Sequence, residues 1–600
     1  MSGFVAILET TGAPVDARLV RTMIDVAPFD AARAGVWTDE GVALGWAPFR
    51  TPHRLETGHS LRRADRLQIV MDGRLDDRAA LVRALQRDLD AASDAQLVVA
   101  AYEQWGTDCV SRLLGDFSFC LWDAEWRHLL CARDHFGVKP LYYARVGSAI
   151  VISNVLRSVR RYPGISERLD DLAVGDVLLF GLAMDPSRTM FRDVSRVPPA
   201  HVLVCSSTGV HDVRRYWEFT PPSTHHYRHE EEAVEEFAAA LRQAVADRVR
   251  GGKIGVLMSG GLDSSSMAAM AASALGASAS TSLRAVTGVY ETVAEDEERH
   301  YSSLVAASLN IRIDHVPLDR YELFDGWGNG GLPPEPTTEP MTAATGDLLA
   351  RAAEHSAVVL AGDGGDPLLL PSTLIHQLRS VPLHMLMAGF WTSVRAQARP
   401  PIGLRSSLRR RLRPEANPVP TWLADPLLQS FDAHARWAEI SAQRSADRGP
   451  RSRAVNSLLD PWWPSTFETY HPGASGRPVE IRYPYFDVRL VGVALHLPSF
   501  PFCVNKHVLR RAMRQSLPEV VVRRPKTPLA VMPEIFHGQW SLPASVQALA
   551  AVPAMEQYVN VRKFAAAVRP EFMFTDRARG SLAAVSLAMW LRHSTAAPTC

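Results

Sequence analysis

Gly255-Val-Leu-Met-Ser-Gly-Gly-Leu-Asp-Ser-Ser-Ser266 carries an apolar strand (Ile254 to Met258) through a tight turn of small residues into an Ala- and Met-rich helix over 265–275. Gly260 and Gly261 allow a ligand to approach the backbone closely. The hydroxyls of Ser259, Ser264 and Ser265, with the N–H groups of the first helical turn, form an anion cradle. Asp263 sets a carboxylate inside that cradle, where it repels phosphate unless a cation lies between them. The pattern predicts a Mg²⁺–polyphosphate site at a strand-to-helix junction. A turn that merely caps its helix is the alternative. The conjunction of strand, Ser-Gly-Gly, Asp and helix weighs against it.

On either side of this stretch the periodicity sorts the chain into two parts. Beyond it, strands and helices alternate over 254–258, 265–275, 284–290, 295–309, 312–316, 344–355 and 357–361, which predicts a doubly wound parallel sheet with helices on both faces. A helix over 230–250 precedes them, and the His-rich Pro221–His229 segment marks a seam. Before the seam, short apolar runs alternate with turn residues: 4–8, 67–71, 116–122, 129–132, 142–144 and 149–152 read as strands, 76–88 and 94–102 as helices. The expected domains are 1–210 and 225–600. The Pro/Arg-rich stretch 398–420 reads as loop, and its run 405–413 as a solvated face or a contact for an acidic partner.

The 600 residues are 47% hydrophobic and 22% charged with a net charge of +1, which gives no reason to expect a nucleic-acid or membrane partner. Cysteines 109, 120, 131, 205, 503 and 600 lack metal-ligand spacing and read as buried thiols. No signal peptide is evident, and the apolar run near 381–394 is too short to span a bilayer, so a cytoplasmic location is expected. Lysine is rare against arginine and stands only at 139, 253, 506, 526 and 563.

A second site is expected at Leu360-Ala-Gly-Asp-Gly-Gly-Asp366, after a strand and hence at the carboxyl edge of the sheet. Asp363 and Asp366 on a Gly-rich turn suit metal and pyrophosphate binding or acid–base work, against the alternative of an ordinary turn. A third block holds Glu480-Ile-Arg-Tyr-Pro-Tyr-Phe-Asp487, Asn505-Lys-His-Val-Leu-Arg510 and Arg523-Arg-Pro-Lys526. Lys526 is placed to neutralise developing negative charge, if it is not simply a solvated surface lysine.

The loop Ser259–Ser265 resembles the pyrophosphate loop of ATP pyrophosphatases, which split ATP into AMP and pyrophosphate while adenylating a substrate. Together the blocks resemble the glutamine-dependent asparagine synthetase family over nearly the whole chain. The first part matches a class II glutaminase domain at Leu114-Gly-Asp-Phe-Ser-Phe119, Ala132-Arg-Asp134 and Gly137-Val-Lys-Pro-Leu-Tyr-Tyr143. The resemblance implies an α/β protein: an αββα sandwich of the N-terminal-nucleophile type, followed by an ATP-pyrophosphatase domain. It implies ATP and Mg²⁺ as cofactors, with Leu257, Val286 and Gly362 at the nucleoside, and Ser259, Gly260, Gly261, Ser264 and Ser265 at pyrophosphate. It also implies Asp263 and Asp366 at the metal, with Lys526 and Asp363 catalytic.

Departures from the family narrow the expectation. Its glutaminase nucleophile is a cysteine at position 2, here Ser2. Its oxyanion-hole Asn-Gly is here Asp72-Gly73, and the following Glu-Ile-Tyr-Asn is Arg74-Leu-Asp-Asp77, although Asp94 still matches a substrate-binding aspartate. Pro367 and Leu370-Pro-Ser372 also depart from the synthetase half. The amine is then expected to come with the substrate. Two groups of relatives work this way: β-lactam synthetases and lasso-peptide macrocyclases. Asp363 leans away from the β-lactam branch, while Pro420-Thr-Trp-Leu423 and the 400–450 insertion resemble the lasso group, implying a precursor peptide as substrate and a leader-binding or protease protein as partner. Ammonia-dependent asparagine synthesis, a β-lactam-type cyclase and a non-catalytic ATP- or peptide-binding scaffold remain alternatives.

Overall fold

Alternation along Ser2–Glu9 sends Phe4, Ala6 and Leu8 into one apolar cluster and Val5 and Ile7 into another, so this strand is covered on both faces. It lies inside a six-stranded antiparallel sheet ordered Val194–Arg196, Tyr142–Val146, Ala149–Ser153, Ser2–Glu9, Val42–Pro48, Gly35–Asp39. A second six-stranded antiparallel sheet runs His211–Arg215, His201–Ser206, His128–Arg133, Gly115–Asp123, Leu67–Leu75, Leu61–Arg63. Phe4 and Leu8 from the first sheet meet Val70, Trp122 and Cys131 from the second, forming the layer between them. The outer face of the second sheet is covered by helices Arg78–Leu85 and Asp94–Trp105, that of the first by Ala17–Ile24 and Asp171–Phe180. This computed structural model describes residues 2–25, 29–49, 61–63, 66–206, 211–219, 227–250, 252–293, 296–327, 332–339, 341–372, 387, 391, 419–525, 542–568 and 578–594.

The other sheet has five strands, all parallel, in the order Arg312–Pro317, Leu283–Val289, Ile254–Leu257, Val358–Leu360, Glu480–Arg482. The chain winds outward from Ile254–Leu257 in one direction, then returns to its other side with Val358–Leu360. The strand order therefore reverses between these two neighbours, and a crevice opens at their carboxyl ends. Both motif loops leave from that crevice.

The expected elements appear within a few residues, with one informative shift. The helix after the first loop spans Leu262–Leu275, not 265–275, because Gly261 is its N-cap and Asp263 already lies in its first turn. The last helix, Ala578–Ser594, packs on Asp171–Phe180 of the first domain, with Ala583, Leu587 and Trp590 in the same cluster as Val174, Val177 and Leu178. Trp422 joins that cluster, its ring 5.4 Å from Phe564, and Asn560 donates to its carbonyl at 2.8 Å. The Pro420–Leu423 segment thus serves as packing between late helices. The loop expectation for 398–420 and the run 405–413 fall almost wholly outside the described residues. Cysteines 109, 120, 131, 205 and 503 are buried thiols. Among the described residues no helix is long and apolar enough to cross a membrane.

Candidate active site

At the crevice two turns interlock. Gly260 has φ +67°, and a Cβ there would stand 2.7 Å from Tyr301 Cβ and 2.8 Å from the Ser302 amide nitrogen. Only glycine suits both the left-handed backbone and the contact. A Cβ on Gly362 would lie 2.7 Å from the Ser264 amide nitrogen, so the second loop touches the first turn of the first loop's helix. Leu257 and Val286 sit side by side in register on adjacent strands. Leu257 is half-buried, while Val286 is buried and its carbonyl accepts from the Met258 N–H at 2.9 Å.

Ser264 is the hub of the first loop. Its hydroxyl oxygen accepts from the Ser259 N–H at 3.1 Å, lies 3.1 Å from Ser259 Oγ and 3.3 Å from the Gly261 carbonyl. The helix start at Gly261 carries no side-chain cap, so its first turn is aimed at the crevice. Ser265 corrects the expectation. It is fully buried, its N–H donates to Gly261 O at 3.0 Å, and its hydroxyl faces the interior. As placed, it packs beneath the cradle and does not line it.

The second loop brings Asp363 and Asp366 to the same opening. Lys506 bridges the two acids expected at a metal: its Nζ contacts Asp263 Oδ2 and lies 2.6 Å from Asp366 Oδ1. Two carboxylates that converge on one cation suit a hard divalent ion. Mg²⁺ ordinarily takes one or two carboxylates, with phosphate and water oxygens completing its shell. Among the described residues no cluster of three or more His, Cys, Asp or Glu forms. The sequence marks Lys506 as a rare lysine within a motif block but assigns it no role; its pairing with Asp263, 243 positions away, has no local signal. Lys526 lies outside the described residues.

Asp363 is exposed at the crevice, and desolvation by the surrounding chain, aided by the Asp263 charge, raises its carboxyl to about 6. Glu339 lies close by, raised by burial and by the Asp363 charge, with Tyr470 beside it. A carboxyl poised near neutrality in a crevice suits general-base work. Nothing in the sequence singled out Glu339.

In the first domain, Ser2 and Asp72 do meet, in a pocket closed by charges. The Ser2 N–H donates to Asp72 Oδ1 at 3.1 Å, and its hydroxyl donates to the Met71 carbonyl at 2.8 Å. Asp72 Oδ2 accepts from His471 Nε2 at 2.9 Å and lies 3.5 Å from Lys139 Nζ; Lys139 in turn is 3.2 Å from Glu480. The Gly473 N–H donates to His471 Nδ1, which leaves the ring proton on Nε2 toward Asp72. Burial alone would raise the Asp72 carboxyl, but Lys139 and His471 hold it well below the carboxylate range. A fixed negative charge therefore occupies the position expected to cradle an oxyanion. Arg74 is bound by Asp76 and by Asp116 at 2.6 Å. Both Asp94 oxygens are engaged, one by Arg78 and one by the Leu75 N–H at 3.1 Å.

Residues 1–217 match a glutamine amidotransferase domain and residues 236–592 match asparagine synthase. Asparagine synthetase (glutamine-hydrolyzing) 3 of Bacillus subtilis is 29% identical over 214 residues, 35% of this chain and 34% of its own. Amidase chyE of Penicillium rubens is 32% identical over 30% of this chain and 26% of its own. A Mycobacterium bovis protein named "Putative asparagine synthetase (glutamine-hydrolyzing)" is 25% identical over 530 residues, 80% of this chain and 76% of its own. The matched region thus spans about a third or less of the first two relatives' lengths. The solved allosteric regulatory enzyme of purine biosynthesis is similar over 43% of this chain and 60% of its own, at 12% identity and a TM-score of 0.27. With the synthase match covering more than half of its residues, the chain belongs to the asparagine synthase family.

Proposed function

We propose that this chain is a lasso-type peptide macrocyclase: it adenylates a side-chain carboxylate of a precursor peptide and joins it to the amine of the same peptide. One observation carries the reading. A crevice lined by Ser259, Ser264, Asp263, Asp366 and Lys506, suited to phosphate, stands in one chain with an Asp72–His471–Lys139 ion network at the glutaminase-like positions. The first feature supports activation by ATP, and the second weighs against a glutamine-derived amine.

The substrate carboxylate attacks the α-phosphorus of ATP. An O–P bond forms, the α–β bridge breaks and pyrophosphate leaves toward the cradle. Mg²⁺, held by Asp263 and Asp366, supplies charge neutralisation of the phosphates when bound. The peptide amine then attacks the acyl carbon, its proton passes to Asp363, and AMP leaves as the C–O bond breaks. Lys526 is the sequence candidate for stabilising that tetrahedral charge. Carrying both reacting groups on one chain makes amide formation unimolecular, a large entropic advantage. Asparagine synthesis from free ammonia is the rival reading, favoured by the names of the relatives.

The test incubates the protein with ATP, Mg²⁺ and a candidate core peptide. A product lighter by one water, one AMP per product and no glutamate from glutamine are expected. ADP in place of AMP, or asparagine from aspartate and ammonia at a rate exceeding peptide cyclisation, would sink the proposal.

A further inference from the structure

We infer that the large cleft between the first domain and the C-terminal helices binds an acidic segment of the peptide substrate. The cleft has a volume of about 1450 Å³. Small-molecule sites run to about 1,000 Å³, so this one suits an extended ligand. Its floor is apolar and firmly packed: Phe191, Trp327 and Trp590 are each at most 2% exposed. Its walls are basic, with Arg157, Arg160, Arg161, Arg168 and Arg192 set against Asp25, Glu167 and Asp171.

The pairing of these arginines decides the charge that remains. Arg160 is satisfied, bound to Glu167 and stacked 3.8 Å over the Phe191 ring. Arg157 reaches only the Leu332 carbonyl, at 3.4 Å. No ion pair holds Arg157, Arg161, Arg168 or Arg192 among the described residues, and all four are exposed to the opening. Desolvation in the cleft and the neighbouring Arg160 charge lower the Arg157 pKa. Arg168 and Arg192 both feel the Asp193 carboxylate, so the surplus positive charge of the wall lies chiefly on Arg157 and Arg161; arginine binds carboxylates bidentately.

Position ties the cleft to the chemistry. It shares Leu332 and Pro333 with a cavity of about 290 Å³ that is lined by Tyr470, Thr469, Arg477 and Asp347. Tyr470 stands beside Glu339, which feels the Asp363 charge. The two cavities therefore adjoin at Leu332 and Pro333, on the side of the molecule that leads to Glu339. A carboxylate-bearing peptide fits this path better than a nucleic acid, since the basic surface is a short cleft on a chain of net charge +1.

This inference extends the peptide reading but is tested apart from it, without ATP. A fluorescein-labelled peptide of alternating Glu and Gly, a Lys/Gly counterpart and a short single-stranded oligonucleotide are titrated with the full-length protein by anisotropy. Saturable binding of the Glu peptide, loss with added salt and no binding of the Lys peptide are expected. The triple variant Arg161→Glu, Arg168→Glu, Arg192→Glu, confined to exposed side chains, is expected to weaken binding by roughly tenfold or more with an unchanged melting temperature. Arg157→Ala serves as the independent variant and is expected to weaken it also. Unsaturable Glu-peptide binding, equal affinity in both variants, or an oligonucleotide that binds more tightly overturns the assignment. Retained Glu-peptide binding in a protein that forms no AMP would overturn the proposed function alone.

Discussion

Asp363 has the properties of a base whose protonation changes close to neutrality, with its carboxyl raised to about 6 by desolvation and by Asp263. Below that value it holds a proton and cannot accept one from the amine. Amide formation is therefore expected to rise with pH through about 6 and then level off, as read from initial rates of product formation. Asp363→Asn is expected to slow that step by about 10²-fold or more and to abolish the acid limb, while pyrophosphate exchange into ATP continues. Lys506 acts one step earlier. Its ammonium holds Asp263 and Asp366 together beside the first loop, and the proposed reading puts it within reach of the phosphates. Lys506→Ala removes a charge-assisted contact of about 1.5–3 kcal/mol, so ATP affinity measured by calorimetry should fall roughly ten- to a hundredfold. Unchanged ATP affinity would mean that the lysine only separates two acids.

At the scale of elements, the site depends on how closely two loops and a helix can approach. Gly260→Ala adds a Cβ 2.7 Å from Tyr301 Cβ in a backbone with φ +67°. The strain costs about 1–3 kcal/mol, and relief requires helix Glu298–Ser308 to move off the loop. A lower unfolding midpoint together with lost nucleotide binding is expected; normal binding at a lowered midpoint would separate the turn from the site. The turn was readable in the sequence because strand, Ser-Gly-Gly, Asp and helix are contiguous, and so was the parallel sheet that aims it. Ser265 was misplaced for a local reason: each helical residue turns about 100°, so one step past Ser264 the side chain leaves the crevice for the core. Lys506, Glu339 and His471 were not readable as site residues, since their neighbours are set by chain winding over hundreds of residues. The Asp72 departure was readable, but its partner His471 belongs to the other domain.

For the whole molecule, the domains are joined by buried charges and not by an apolar seam alone. Arg133 and Arg196 meet Glu468 at 2.9 and 3.0 Å, Arg248 meets Asp487 at 2.7 Å and Asp76 at 3.3 Å, and Lys139 lies between Asp72 and Glu480. Such pairs add little net stability over apolar packing, but a broken one is expensive because the survivor stays buried. Lys139 and its neighbours hold Asp72 and Glu480 well below their ordinary 3.8 and 4.5 despite burial. Their contribution is therefore complete above those values and is lost as pH falls through and below them. Burial likewise lowers His471 from 6.5, so the unfolded chain takes up that proton first and stability begins to decline below about 6.5. Between about 4 and 6.5 His471 and the raised Asp363 carboxyl act in opposite senses, so the urea midpoint is expected to drop steeply only below about 4.5. Lys139→Met leaves two buried carboxylates without their cation and should cost about 3–5 kcal/mol at neutral pH. The deficit should shrink on acidification, because protonated carboxyls need no counter-charge. If it stays constant from neutral pH to pH 4, the lysine contributes through its packed stem and the electrostatic account of this interface fails.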